Sequence, residues 1–175
     1  RIVRPANYTK GLPGNDYSIV NKNNKRIAVI NLIGRTSMGI LSENPFIVAN
    51  DIYNKLKNQA DIFVLDFHAE ATAEKIAMGY YMDGKYTIVY GTHTHVQTAD
   101  EQMLEKGTAY ITDIGMTGPK KSVIGMDVGV SFKRFVTSLP ERYKLADSEA
   151  MINGCVFKIN DETNRTEEII RINTK

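Results

Sequence analysis

The sequence predicts a single α/β domain over residues 1–175, and three observations carry that expectation. The chain has 175 residues at 42% hydrophobic content, enough to bury one substantial core. Apolar runs of strand length alternate with stretches of helical periodicity through its middle. No repeat, low-complexity tract or long linker divides it.

The elements follow in order. The segment NYTKGLPGND, with Gly11, Pro13 and Gly14, reads as a surface loop, and residues 17–20 and 27–33 flank the polar turn NKNNK as a hairpin. Ser42 and Pro45 introduce a helix whose apolar positions Val48, Ile52 and Leu56 recur at helical spacing and which ends near Gln59. Residues 62–67 form an almost continuous apolar run, the pattern of a strand covered on both faces. Residues 69–82 favour helix, Asp83-Gly84 stops it, and residues 86–90 make the next strand. Beyond lie a short strand at 109–112, a GMTGP loop, a helical turn at 132–136, and a closing hairpin of residues 154–160 and 168–173 around DETN.

Composition narrows the setting. A net charge of +2, from 22 basic and 20 acidic residues, offers no broad cationic surface for duplex nucleic acid. One cysteine, Cys155, excludes an internal disulfide and fits a reducing compartment, where it reads as a small strand residue. No membrane-length apolar stretch or signal-peptide pattern is present, so a soluble, cytoplasmic protein is expected. The first residue is Arg1 rather than methionine.

The chemistry concentrates at two strand ends. Residues 61–92 read as strand, helix, strand, and a crossover of that length favours parallel, right-handed pairing. DFHAE and GTHTH then share the carboxyl edge of one sheet, where open α/β sheets place their sites. All three histidines of the chain, His68, His93 and His95, are in these motifs. Residues two apart on extended chain project to the same side, and neutral imidazole suits zinc, iron and manganese, so a metal site is expected there. The competing reading is a polar cluster bonded to backbone. Asp66 and Glu70 are candidates to orient an imidazole and Asp113 to reach the same edge, whereas Asp100, like each of these, also fits a cap or turn. Three imidazoles suffice for one zinc and are too few for two metals.

The stretches RPANYTKGLPG, LDFHAEATAEKIAMGYYMDG, GTHTHVQTADEQML and GTAYITDIGMTGPKKSVIGMD resemble the YmdB-type metallophosphoesterases, bacterial members of the calcineurin-like phosphoesterase superfamily. The similarity runs over nearly the whole chain. It implies a four-layer α/β/β/α sandwich holding two metal ions, commonly iron or manganese, and hydrolysis of phosphodiesters, with 2′,3′-cyclic nucleotides among the substrates. On that resemblance His68 and His93 bind one metal and His95 the other. The family pattern also has a GD motif, a Glu-Asn pair and a GNH motif that supply further ligands and the histidine given the catalytic role. None of these is in the sequence, which resembles the C-terminal two-thirds of such an enzyme and lacks its N-terminal strands and helices. No catalytic residue is therefore assigned. Two other readings stand beside the two-metal phosphodiesterase: a non-catalytic binding or regulatory module on the same fold, and a mononuclear zinc hydrolase using the three histidines. Lys120 and Lys121 read as a solvated loop pair. A homo-oligomer is expected, because a sheet short of its N-terminal strands exposes an edge.

Overall fold

The computed structural model describes residues 2–174. Its centre is a six-stranded mixed sheet in the order β1-β2-β3-β4-β6-β5. β1 (Tyr17–Lys22) and β2 (Lys25–Ile33) form the expected antiparallel hairpin, turned by Asn23 and Asn24 at positive φ. β2, β3 (Ile62–His68), β4 (Ile88–Thr92) and β6 (Ala109–Ile111) then run parallel to one another, and β5 (Gln102–Met103) pairs antiparallel at the far edge. The helices α1 (Pro45–Leu56) and α2 (Thr72–Met82) are the crossovers between β2 and β3 and between β3 and β4. Parallel neighbours require such connections, and they bring the carboxyl ends of β3 and β4 to the same edge.

The pleat sorts side chains between the two faces. Phe63, Leu65 and Phe67 of β3, with Val89 and Tyr110, join the buried core formed with Ala49, Ile52 and Leu56 of α1 and Met78 and Met82 of α2. Asp66 and His68 alternate with them, and so face away from that core. The two-stranded sheet of β9 (Asn153–Ile159) and β10 (Thr166–Asn173) meets this second face, where Phe157 stacks on Tyr90 with centroids 6.5 Å apart. The α/β architecture, with mixed sheets and helices, is consistent with a calcineurin-like sandwich.

Several boundaries differ from expectation. The cap of α1 is Asn44, whose side chain accepts from the Phe46 N–H, rather than Ser42. α2 starts at Thr72 because Ala71 is extended, with ψ 117°. β4 starts two residues late, since the Tyr86 N–H still bonds the Met82 carbonyl at 3.1 Å in the turn that ends α2. Part of the GMTGP loop is β7 (Gly118–Pro119), paired with β8 (Ala150–Met151). The turn expected at 132–136 is a full helix, α3 (Val128–Thr137), which Asp127 caps by accepting from the Val130 N–H and left-handed Ser138 ends. Among the described residues no helix is long and apolar enough to cross a membrane.

Candidate metal centre

The register of the parallel strands builds the site. His68 lies opposite Thr92, and Asp66 lies opposite Asn31 on its other side. The Thr92 hydroxyl donates to Asp66 Oδ1 at 2.8 Å, and Asn31 Nδ2 donates to Asp66 Oδ2, also at 2.8 Å. With its proton given to Asp66, the Thr92 oxygen accepts from His68 Nδ1–H at 3.0 Å. This row fixes the His68 tautomer and leaves a lone pair on Nε2. Burial pushes the Asp66 carboxyl up, against the bonds from Thr92 and Asn31 that favour its charged form. Burial, and next the neighbouring His93, push His68 below the ordinary histidine value, favouring its neutral form.

His68 Nε2 faces His93 Nδ1 at 3.0 Å, and the rings cross at 85°. On its other side His93 Nε2 stands 3.0 Å from Glu70 Oε2. In the tautomer that gives Nε2–H to Glu70, His93 presents a lone pair on Nδ1. Two nitrogen lone pairs then face each other, an arrangement that calls for a proton or a cation between them. Two nitrogens bound to one cation at about 2.1 Å and about 90° apart stand about 3.0 Å from each other, so the pair fits two adjacent positions of a metal shell. Among the described residues no three His, Cys, Asp or Glu side chains form a complete cage. The geometry explains why: Glu70, His93 and His68 lie in a row, so only two donors face the shared volume.

His95 is held elsewhere, its Nδ1–H donating to the Ile124 carbonyl at 3.1 Å, which leaves Nε2 with the lone pair. His93 and His95 both have positive φ, 111° and 66°. Each costs on the order of 1–3 kcal/mol in a residue with a side chain, and such strain persists only where the surroundings enforce it. The enforcing group is Asp113. Its Oδ2 accepts from the Thr94 N–H and hydroxyl, between the two histidines, and from Lys75 Nζ at 2.8 Å, while Oδ1 accepts from the Gly115 N–H. The Lys75 and Asp113 side chains are each only 1% exposed. Burial pushes the Asp113 carboxyl up, but the bonds from Lys75, Gly115 and Thr94 outweigh it and hold it below the usual aspartate value.

The sequence offered the histidines, Asp66, Glu70 and Asp113 for this edge; the structure joins His68, His93, Asp66 and Glu70 in one row and sets Asp113 against Thr94, between the two loop histidines. Asp100 instead bonds Thr98 and Thr112. Lys120 and Lys121 are exposed, their amides tied to Glu149 and Ser148. Thr92 and Lys75 were overlooked. Lys75 had a signal, since Lys75, Met78, Gly79 and Met82 follow the i, i+3, i+4, i+7 pattern of one buried helix face.

A family model described as YmdB-like protein matches residues 1–172. The chain belongs to the YmdB-like family. Within this family, which lies in the calcineurin-like metallophosphoesterase superfamily, it is 47% identical over 171 residues to a 2′,3′-cyclic-nucleotide 2′-phosphodiesterase of Bacillus subtilis (strain 168), covering 98% of this chain and 64% of that protein. Two crystal structures superpose closely. One, of a hypothetical protein from Thermus thermophilus, has a TM-score of 0.89 at 34% identity over 98% of this chain and 66% of its own. The other, described as a novel phosphatase of Mycoplasma pneumoniae, has a TM-score of 0.88 at 36% identity over 98% of this chain and 63% of its own. The chain thus spans less than two-thirds of the length of each of these relatives.

Proposed function

We propose that the YmdB-like chain provides the part of a metal-dependent phosphodiesterase that carries His68, His93 and His95, with 2′,3′-cyclic nucleotides among its substrates and two iron or manganese ions as cofactors. The observation that carries this reading is the facing pair His68 Nε2 and His93 Nδ1 at 3.0 Å, with each outer nitrogen already engaged by Thr92 or Glu70. His68 and His93 would hold one ion and His95 the other. When bound, such ions neutralise phosphate oxygens and activate water.

The chain's own residues prepare for that role. Asp66 acts through Thr92 to keep the His68 lone pair directed outward, and Glu70 does the same for His93. Lys75 and Asp113 clamp the loop between the histidines, so their spacing is set before any ligand arrives. Pre-positioning of this kind removes reorganisation from the reaction itself. The 47% identity to a cyclic-nucleotide phosphodiesterase supports the substrate class.

A small phosphodiester substrate, rather than duplex nucleic acid or a membrane, agrees with the net charge of +2. The single cysteine supports a reducing, cytoplasmic location; burial pushes its thiol up to about 11. Phe132, Phe135 and Val136 are exposed on α3 and support assembly as a homo-oligomer.

The test is hydrolysis of bis-p-nitrophenyl phosphate and of 2′,3′-cyclic AMP by manganese-loaded protein, before and after chelation. Activity that is lost on chelation and in His93→Ala is expected. Turnover that survives both contradicts the proposal, and metal binding without turnover, even when the family segment bearing the GD and GNH motifs is supplied, points to the non-catalytic module.

A further inference from the structure

We infer that the apolar cavity beside His95 receives the base of a nucleotide whose phosphate lies at the histidines; this rests on the phosphodiesterase reading. The cavity measures about 630 Å³, within the range of small-molecule sites, and is lined by Met116, Ile124, Met126, Tyr143 and Leu145 in addition to His95. His95 is both a wall of the cavity and a proposed metal ligand. A ligand held by phosphate at the histidines therefore projects its next group over this space.

The chemistry of the walls selects that group. Two methionine thioethers and a phenol ring are partners for a flat π-system, since sulfur packs favourably against aromatic rings and bases stack on tyrosine. Tyr143 and Leu145 are 77% and 75% exposed, a cost in exposed apolar surface that a stacked base would relieve. Tyr143 is oriented by the Arg134 guanidinium 5.6 Å from its ring centroid. One part of the lining is strained: Ile124, a β-branched residue, is held at φ 48°, and its carbonyl is the group that accepts from His95. The same backbone position thus shapes the cavity and aims the histidine. Apart from His95, Lys144 and the Thr117 hydroxyl, the lining side chains are apolar or aromatic, so recognition rests mainly on stacking, which tolerates different bases.

The experiment compares adenosine 3′-monophosphate with glycerol 2-phosphate, a secondary phosphate ester without a base, by calorimetry on the manganese-loaded protein. The nucleotide should bind at least about tenfold more tightly, the scale of one base stacked on an aromatic ring. Tyr143→Ala and Leu145→Asp, both at exposed positions, should each bring nucleotide affinity down towards that of glycerol 2-phosphate, whereas Val136→Ser on α3 should leave the difference intact. Equal binding of the two ligands, as expected if another copy of the chain covers the cavity, overturns the inference, as does a difference that survives both cavity variants. Hydrolysis of bis-p-nitrophenyl phosphate in the same preparations separates the two claims. A base-dependent difference without hydrolysis, even when the family segment bearing the GD and GNH motifs is supplied, would refute the phosphodiesterase reading alone, and hydrolysis without that difference would refute the cavity's role alone.

Discussion

At the residue scale the centre depends on groups that never face the shared volume. Thr92 contributes one hydroxyl, which passes the charge of Asp66 to His68 Nδ1. Replacing Thr92 by valine keeps the shape of the strand and removes that link. Manganese affinity, measured by calorimetry, should fall about 10- to 100-fold, the range for losing a group that orients a ligand, with the circular dichroism spectrum unchanged. Lys75 behaves differently, because its partner Asp113 is equally buried. Lys75→Met strands a buried carboxylate and should cost about 3–5 kcal/mol in urea unfolding, most of which Lys75→Met/Asp113→Asn should restore. The Asp113 carboxyl is held below its ordinary value, so the stabilisation it brings is present above about pH 4 and is lost as pH falls through the lowered folded value. The gap between the Lys75→Met variant and the parent should therefore narrow in acid.

At the scale of elements, β4 is the most constrained. Its Gly91 lies in register with Phe67 of β3, and a Cβ there would stand 1.8 Å from the Thr112 carbonyl oxygen and 2.8 Å from Lys75. Gly91→Ala must push β4, which leads into the histidines of GTHTH, away from Thr112 at the end of β6. We expect destabilisation of about 1–3 kcal/mol or more, together with weaker manganese binding, measured by thermal unfolding and calorimetry. Unchanged values for both would show that β4 and the following loop yield freely. The parallel strands and both crossover helices were legible in the sequence because their apolar patterns are long and regular. Less could be read where pairing is short: β5, β7 and β8 span two residues each, too few to show any period. Most boundary errors came from capping, as at Ala71, whose extended conformation has no signature in the run of helix-favouring residues around it.

For the whole molecule, the sequence placed DFHAE and GTHTH at one edge of the sheet because parallel topology alone brings them together. It did not reveal the tautomers, which depend on register: only when His68 pairs with Thr92 does a hydroxyl fall between the imidazole and Asp66. Nor did it reveal that the third histidine is held by the Ile124 carbonyl, a contact across 29 residues made by a strained backbone. The central claim is that these histidines hold metal, and anomalous scattering from a crystal of manganese-loaded protein tests it most directly. A peak within bonding distance of both His68 Nε2 and His93 Nδ1 that disappears in His93→Ala is expected. Manganese-loaded, hydrolytically active protein with no peak near either nitrogen would contradict it.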